Sequence, residues 1–467
     1  MSYQAVMARK NDIMMESTGI DYRAFEHQTF GFDYEKLMSV APSKEEIKEI
    51  QQSLGVGNTP LLRLDRLSKL VRRVSKPGYG ATILLKDEAQ NPSGSFKARR
   101  AALSVYDAYQ KGYKGVIAAT SGNYGAAVAS MAAKLGLKCI ILQECYDADF
   151  VGQPEILEKQ RHCEALGAEV ISMTVGPELF YEDLKLLEST GFYNASLYVP
   201  GAIAGIESLG WEIAEQTKKM GITPHSVVVT HAGGGNLTGT ARGLKDAGLK
   251  KTKIVAASVD LTGLHMASDR DFNRKSFTTG HTGFGIPFAT KPDRSDVPRN
   301  AARALRYMDD YLLVKQGEVF YLTELLASLE GIERGPAGNT SLAAAFALAR
   351  TLPETEYLIV QETEYTGAGK HPQAQLAFAK AHGISIGTGD PAAEVPGQSI
   401  VIPDSPERLE VRRYDMDRLR RSALNNMIKE ADGSAGLLEP EAVAYMAAEV
   451  GWPEDKVIET VKEMLNE

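Results

Sequence analysis

The sequence predicts an α/β fold of the doubly wound kind, with two parallel-sheet domains, and three observations predict it. Short apolar, β-branched runs recur from residue 81 onward. Stretches of helical period separate them. The runs are continuously apolar rather than alternating, which is the pattern of strands covered on both faces. The strand candidates are 81–86 (ATILLK), 115–120 (GVIAAT), 138–144 (KCIILQE), 168–174 (AEVISMT), 226–230 (SVVVT), 253–259 (KIVAASV) and 357–362 (YLIVQE). Helical spacing marks 97–112, 125–136 and 154–167. Ligands of such sheets bind beyond the carboxyl ends of the strands, so the residues just after each run carry the most weight.

Taken in order, residues 1–53 are mixed and polar, with a helical charge pattern at SKEEIKEIQQSL, and read as an N-terminal extension. Residues 54–100 and 205–395 are assigned to a larger domain that would bind a phosphate, and 101–204 to a smaller α/β domain. Residues 261–300 have no period and are too long for a passive connection, which makes them a candidate binding loop. That loop holds His265 and His281, candidates for a proton role, and Arg270, Arg274, Lys275, Lys291 and Arg294, a net positive character suited to phosphates. Residues 396–467 read as a C-terminal helical extension. They end in two amphipathic helices broken at Gly451, Trp452 and Pro453.

Composition narrows the functional classes. Of 467 residues, 43% are hydrophobic and 24% charged, and the net charge of −8 provides no basic face for nucleic acid or an anionic membrane. Three cysteines, Cys139, Cys145 and Cys163, do not make a disulfide framework and point to a reducing compartment. No apolar run approaches the ~18 residues of a membrane helix. A cytoplasmic protein is expected. No Cys or His spacing suits zinc, and no metal is expected.

Three motifs carry chemistry. In NPSGSFKARRAA, a turn at Asn91 to Gly94 leads into a helix with Lys97 in its first turn. The positive end of the helix dipole disfavours a second positive charge, which lowers the amine pKa and suits a Schiff-base nucleophile. In TSGNYGAAVA, Ser121, Gly122, Asn123, Tyr124 and Gly125 form a strand-to-helix turn whose free N–H groups suit a carboxylate. In THAGGGNLTGTARG, Gly233, Gly234 and Gly235 let backbone approach a phosphate at the start of a helix. Gly233, Gly235 and Gly239 also imitate a dinucleotide fingerprint, with Asp260 as the ribose acid, so a nicotinamide dehydrogenase competes on this motif alone. A non-catalytic amino-acid-binding subunit is a further alternative.

Together these parts suffice to hold pyridoxal phosphate and an amino acid. The chain resembles the fold-type II pyridoxal-phosphate enzymes of the tryptophan synthase β and threonine synthase superfamily. GVGNTPLLRL, KDEAQNPSGSFKARRA, TSGNYGAA, GIESLGWEIAEQ, HAGGGNLTG and EGIERGPAGNTSLAAA occur in that superfamily's order over about residues 54–390. The resemblance implies that the cofactor lies in the cleft between the two domains. Lys97 would hold it and move protons, Asn123 would bond its phenolic oxygen, and the Ser121 to Gly125 turn would take the substrate carboxylate. The amides of Gly233, Gly234, Gly235, Asn236 and Leu237 would cradle the phosphate. Thr366 in TGAGK would meet the ring nitrogen, with Thr363 or a nearby glutamate as alternatives. A neutral hydroxyl there would leave the ring nitrogen unprotonated.

Longer segments, among them VGPELFY, FTTGHTGFGIPFAT and VQETEYTGAGKH, resemble the large, cofactor-binding subunits of the 2-amino-4-oxopentanoate thiolases of ornithine degradation. This implies an acyltransferase that cleaves its substrate with coenzyme A to acetyl-CoA and alanine, of D configuration, as an oligomer with a small second subunit. Cys145, just after a strand, is a candidate acyl carrier. A lyase or synthase of the diaminopropionate ammonia-lyase or threonine synthase type is the alternative.

Overall fold

The computed structural model describes residues 3–466 apart from 28–29, 121, 148, 176–177, 197–198, 262–275, 279–303, 366–371 and 432–434. Two sheets organise the chain. The larger has seven strands in the order Arg412–Arg413, Asp310–Val314, Lys253–Val259, Ser226–Thr230, Tyr357–Glu362, Thr82–Asp87 and Leu61–Arg63. The five inner strands are parallel and the two edge strands antiparallel to their neighbours. The smaller sheet is wholly parallel, in the order Glu169–Thr174, Lys138–Tyr146, Gly115–Thr120, Tyr193–Asn194. The inner strands Thr82–Asp87 and Gly115–Thr120 are buried at every position, which explains their continuously apolar text.

Parallel register brings strand ends together. Glu362 pairs with Asp87 and Gln361 with Val229, so the strands carrying the lysine motif and the glycine motif finish side by side. The helices Pro200–Lys219 and Gly235–Asp246 cross at unusually close range. A Cβ on Gly210 would lie 2.5 Å from Thr240 O, one on Gly239 2.5 Å from Ile206 Cβ, and one on Gly243 2.0 Å from Glu207 O. Gly239 is therefore a packing residue, a role that by itself does not decide for or against a dinucleotide fingerprint.

Both terminal segments are built into the cores. Residues 44–53 form a helix with a Ser43–Glu46 capping box, and its Ile47 lies in one core with Met14, Phe32, Tyr34 and Leu37 and with the helices Lys97–Gln110 and Asn123–Leu135. Beyond residue 396 the chain is not only helical. Ser399–Pro403 pairs with Ser385–Gly389, and Arg412–Arg413 closes an edge of the large sheet. The two expected helices are Pro440–Val450 and Glu454–Asn466, separated by Gly451 in a left-handed conformation. Met446, Val450, Trp452, Val457 and Val461 lie in the same core as Val227, Val229 and Ile359 of the large sheet. No described helix is long and apolar enough to cross a membrane.

Candidate active site

Lys97 opens the helix Lys97–Gln110, and the turn before it is fastened to the chain that leaves strand Tyr357–Glu362. Tyr365 N–H donates to Gly94 O (2.8 Å), Phe96 N–H donates to Thr363 O (3.1 Å), and Ser95 bridges Glu364. A Cβ on Gly94 would sit 2.2 Å from Tyr365 O, so no other residue allows this approach. The Lys97 ammonium lies over the Phe96 ring, 4.5 Å from its centre. Burial lowers its pKa to about 8; the Arg100 and Lys159 charges push the same way and Glu364 opposes them. The neutral amine is the form that attacks a carbonyl, and its share grows as pH rises. The rate at which the apoprotein takes up pyridoxal phosphate should therefore climb with pH around a midpoint near 8, followed by the visible absorption of the bound cofactor. A flat rate between pH 6 and about 9.5 would contradict a lowered lysine.

Beneath that turn lies a largely buried ionic network that the sequence reading did not anticipate. The Arg99 side chain is 0% exposed; Nε and Nη2 donate to the two Glu88 oxygens (2.7 and 2.9 Å), while Nη1 and Nη2 donate to the two Glu212 oxygens (2.8 Å each). Lys86 Nζ donates to Glu212 Oε2 (2.7 Å), Thr59 O (2.6 Å) and Gln216 Oε1 (3.0 Å). Asn58 N–H donates to Glu212 Oε1 and Gly57 N–H to Asn91 Oδ1. Three separate motifs, at 55–64, 86–101 and 205–216, thus meet in one cluster that fixes where Lys97 stands. The signal available in the sequence was Lys86 inside an apolar strand, a charge where burial is expected.

The turn expected to take a carboxylate follows strand Gly115–Thr120. Thr120 Oγ1 accepts from Gly122 N–H (2.9 Å) and Gly125 N–H (3.3 Å), which folds the chain into the helix Asn123–Leu135. Gly122 has φ 152° and ψ −101°, a region closed to side-chain-bearing residues. The Asn123 Oδ1 atom is buried and has no hydrogen-bond partner among the described residues. Rotation about Cβ–Cγ exchanges the two ends of an amide, so this position suits a donor to a phenolic oxygen. The Tyr124 side chain turns away. Its hydroxyl donates to Ala195 O and its ring stacks on the Arg100 guanidinium at 3.9 Å, so its contribution to an anion is limited to backbone. Ser121 lies outside the described residues. Under the turn lies Lys159, a residue the sequence reading passed over as part of an amphipathic helix.

In the glycine motif, Gly234 has φ 87° and starts the helix Gly235–Asp246. Thr238 N–H donates to Gly234 O (3.0 Å), which leaves the amides of Gly235, Asn236 and Leu237 at the open end of the helix, as phosphate binding requires. The Asn236 side chain is committed elsewhere, donating to Gln361, and Leu237 packs in the core. Asp260, the ribose acid of the dehydrogenase alternative, is buried and bound to Arg412 (3.0 Å) and Lys315 (3.5 Å). The acid that alternative needs is thus already engaged.

Of the ring-nitrogen candidates, Thr366 lies outside the described residues, as do His265, His281 and the basic residues around them. Thr363 and Glu364 stand beside Lys97 through the contacts above, and Glu364 is the glutamate whose charge Lys97 senses. Glu362 is buried, and a Cβ on Gly338 would come 1.7 Å from its Oε1. Burial holds its carboxyl well above the usual range, as does the neighbouring Asp87 charge. All three thiols are buried. Burial pushes Cys145 up to about 11, and its thiol donates to Gln160 Oε1 (3.4 Å); Cys139 and Cys163 are pushed up to about 12. None has the low pKa of an acyl-accepting thiolate.

A low-pKa lysine, a buried amide oxygen without a partner among the described residues, a strand-to-helix turn and open amides at a glycine helix start fit pyridoxal phosphate. The chain belongs to the pyridoxal-phosphate dependent enzymes, whose family model matches residues 52–361. It is 58% identical over 466 residues to the 2-amino-4-ketopentanoate thiolase beta subunit of Acetoanaerobium sticklandii, covering 99% of each chain. It is 57% identical to a beta subunit of the same name from an unknown prokaryotic organism, over 99% of this chain and 98% of that one. Among solved structures, a T.th. threonine deaminase superposes with a TM-score of 0.54 at 25% identity, covering 70% of this chain and all of the other.

Proposed function

We propose that the chain is the cofactor-binding subunit of a cytoplasmic enzyme that cleaves 2-amino-4-ketopentanoate with coenzyme A, together with a small second subunit. The thiol sulfur bonds to C4, the C3–C4 bond breaks, and C3 takes a proton, giving acetyl-CoA and alanine, of D configuration. The observation that carries this reading is the end-to-end 58% identity to a thiolase beta subunit, which includes the segments outside the shared catalytic core. Identities to lyases and synthases of the superfamily are far lower, as with 27% to the threonine synthase of a Bacillus species.

When bound, pyridoxal phosphate acts as an electron sink that loosens the bonds at the substrate's amino carbon. Lys97 Nζ would hold it, and once displaced would take the proton from that carbon and return it. The Gly122 to Gly125 turn, with Ser121, would hold the carboxylate and so orient the carbon toward Lys97. Asn123 would steady the phenolic oxygen, the Gly233 to Leu237 amides the phosphate, and a residue of 363–366 the ring nitrogen. The buried ionic network keeps the Lys97 turn from shifting during proton transfer.

Incubation of the holoenzyme and its small subunit with substrate and coenzyme A should consume free thiol and release acetyl-CoA and alanine. Ammonia release without thiol loss would replace this reading by the lyase alternative. Cys145→Ser should retain full thiolysis, because coenzyme A attacks directly; loss of thiolysis in a folded Cys145→Ser protein would restore the acyl-carrier route.

A further inference from the structure

We infer that the Lys159 ammonium is part of the substrate site and supplies a fixed positive charge to the turn that holds the amino acid's carboxylate. The inference rests on the reading of the Gly122 to Gly125 turn as that carboxylate site.

Lys159 lies on the helix Pro154–Ala165, and its side chain is 1% exposed. A Cβ on Gly122 would sit 2.4 Å from Lys159 Cδ and 3.3 Å from its Nζ, so the stem passes directly under the turn. This contact provides a second reason for glycine at that position. Among the described residues the ammonium has one hydrogen bond, to Glu155 Oε1 one turn earlier (2.9 Å). An ammonium has three N–H donors, so capacity remains on the side of the turn. The Lys97 amine also senses the Lys159 charge. A buried ion pair is costly to assemble and seldom adds stability over an apolar pair. Near an anion-binding turn it has a use that packing does not explain: backbone N–H groups orient a carboxylate, and a cation in a poorly hydrated site strengthens its hold.

The test is binding, read from the visible spectrum of the cofactor in the holoenzyme. Alanine and ethylamine both carry the amine; only alanine carries the carboxylate. In Lys159→Met the dissociation constant for alanine should rise about 10- to 100-fold while that for ethylamine stays as in the wild type. Glu155→Gln/Lys159→Met, which leaves no unpaired buried charge, should show the same difference from Glu155→Gln if the single variant does not fold. Equal weakening of both ligands would assign Lys159 a purely structural role, and unchanged alanine binding would remove it from the site. Either result overturns the inference. A wild-type enzyme that prefers alanine to ethylamine yet forms no acetyl-CoA would instead refute the thiolase reading and leave this one intact.

Discussion

Lys97→Ala should lose the visible absorption of bound pyridoxal phosphate and at least about 10³-fold of thiolysis, because one amine both holds the cofactor and shuttles the substrate proton. The loss should be confined to chemistry. Lys97 is half-buried at a helix start, has no role in the Arg99 cluster, and its removal deletes an electrostatically unfavourable charge, so the variant should unfold in urea no earlier than the wild type. Spectra after reconstitution and single-turnover acetyl-CoA release measure the two parts. A variant that keeps both the spectrum and the turnover would remove Lys97 from the mechanism.

The second large effect falls on stability. Arg99→Ala should cost about 3–5 kcal/mol, since it strands Glu88 and Glu212 as buried carboxylates without their principal partner. Arg99→Lys should recover little, because a point charge does not reproduce four donors in a planar fork. Urea midpoints of the three proteins measure this, and coincident midpoints would show the network to be energetically idle. The same cluster has a pH signature. Burial alone would raise the Glu212 pKa, but Arg99 and Lys86 hold it down to about 2 from an ordinary 4.5. A carboxyl held lower in the fold than in the unfolded chain stabilises fully above about pH 4.5, and that contribution fades as pH falls toward 2.

The inner strands were legible because they are buried on both faces. Runs such as 115–120, 226–230 and 357–362 match their observed limits. The strand Asp310–Val314 was not read. Four apolar residues after Asp310, one residue short of the helix Gln316–Glu330, do not declare a period of their own. Edge strands of two or three residues, Leu61–Arg63 and Arg412–Arg413, were equally silent. In the site, glycines and the lysine were legible through turn chemistry. The charges beneath them were not, because Arg99, Glu212 and Lys159 sit on helices whose charged residues default to solvent, and only the packing of distant segments turns them inward. Tyr124 shows what a turn motif leaves open: it lies within the expected carboxylate turn, while its side chain bonds Ala195 O beside the smaller sheet.

The pairing of Arg412–Arg413 with Leu312 and Leu313 constrains the order in which the protein is made. Until residue 413 leaves the ribosome, Asp310–Val314 is the outermost strand of an otherwise completed parallel sheet and offers unpaired backbone to any neighbouring chain. The helices that cover the Val227, Val229 and Ile359 face arrive later still. A nascent chain with every catalytic motif already synthesised would therefore remain sticky along one edge and one face. Stop codons placed between residues 396 and 440 should give insoluble protein despite an intact motif set, and heterologous production should benefit from slow synthesis or chaperones more than from added cofactor.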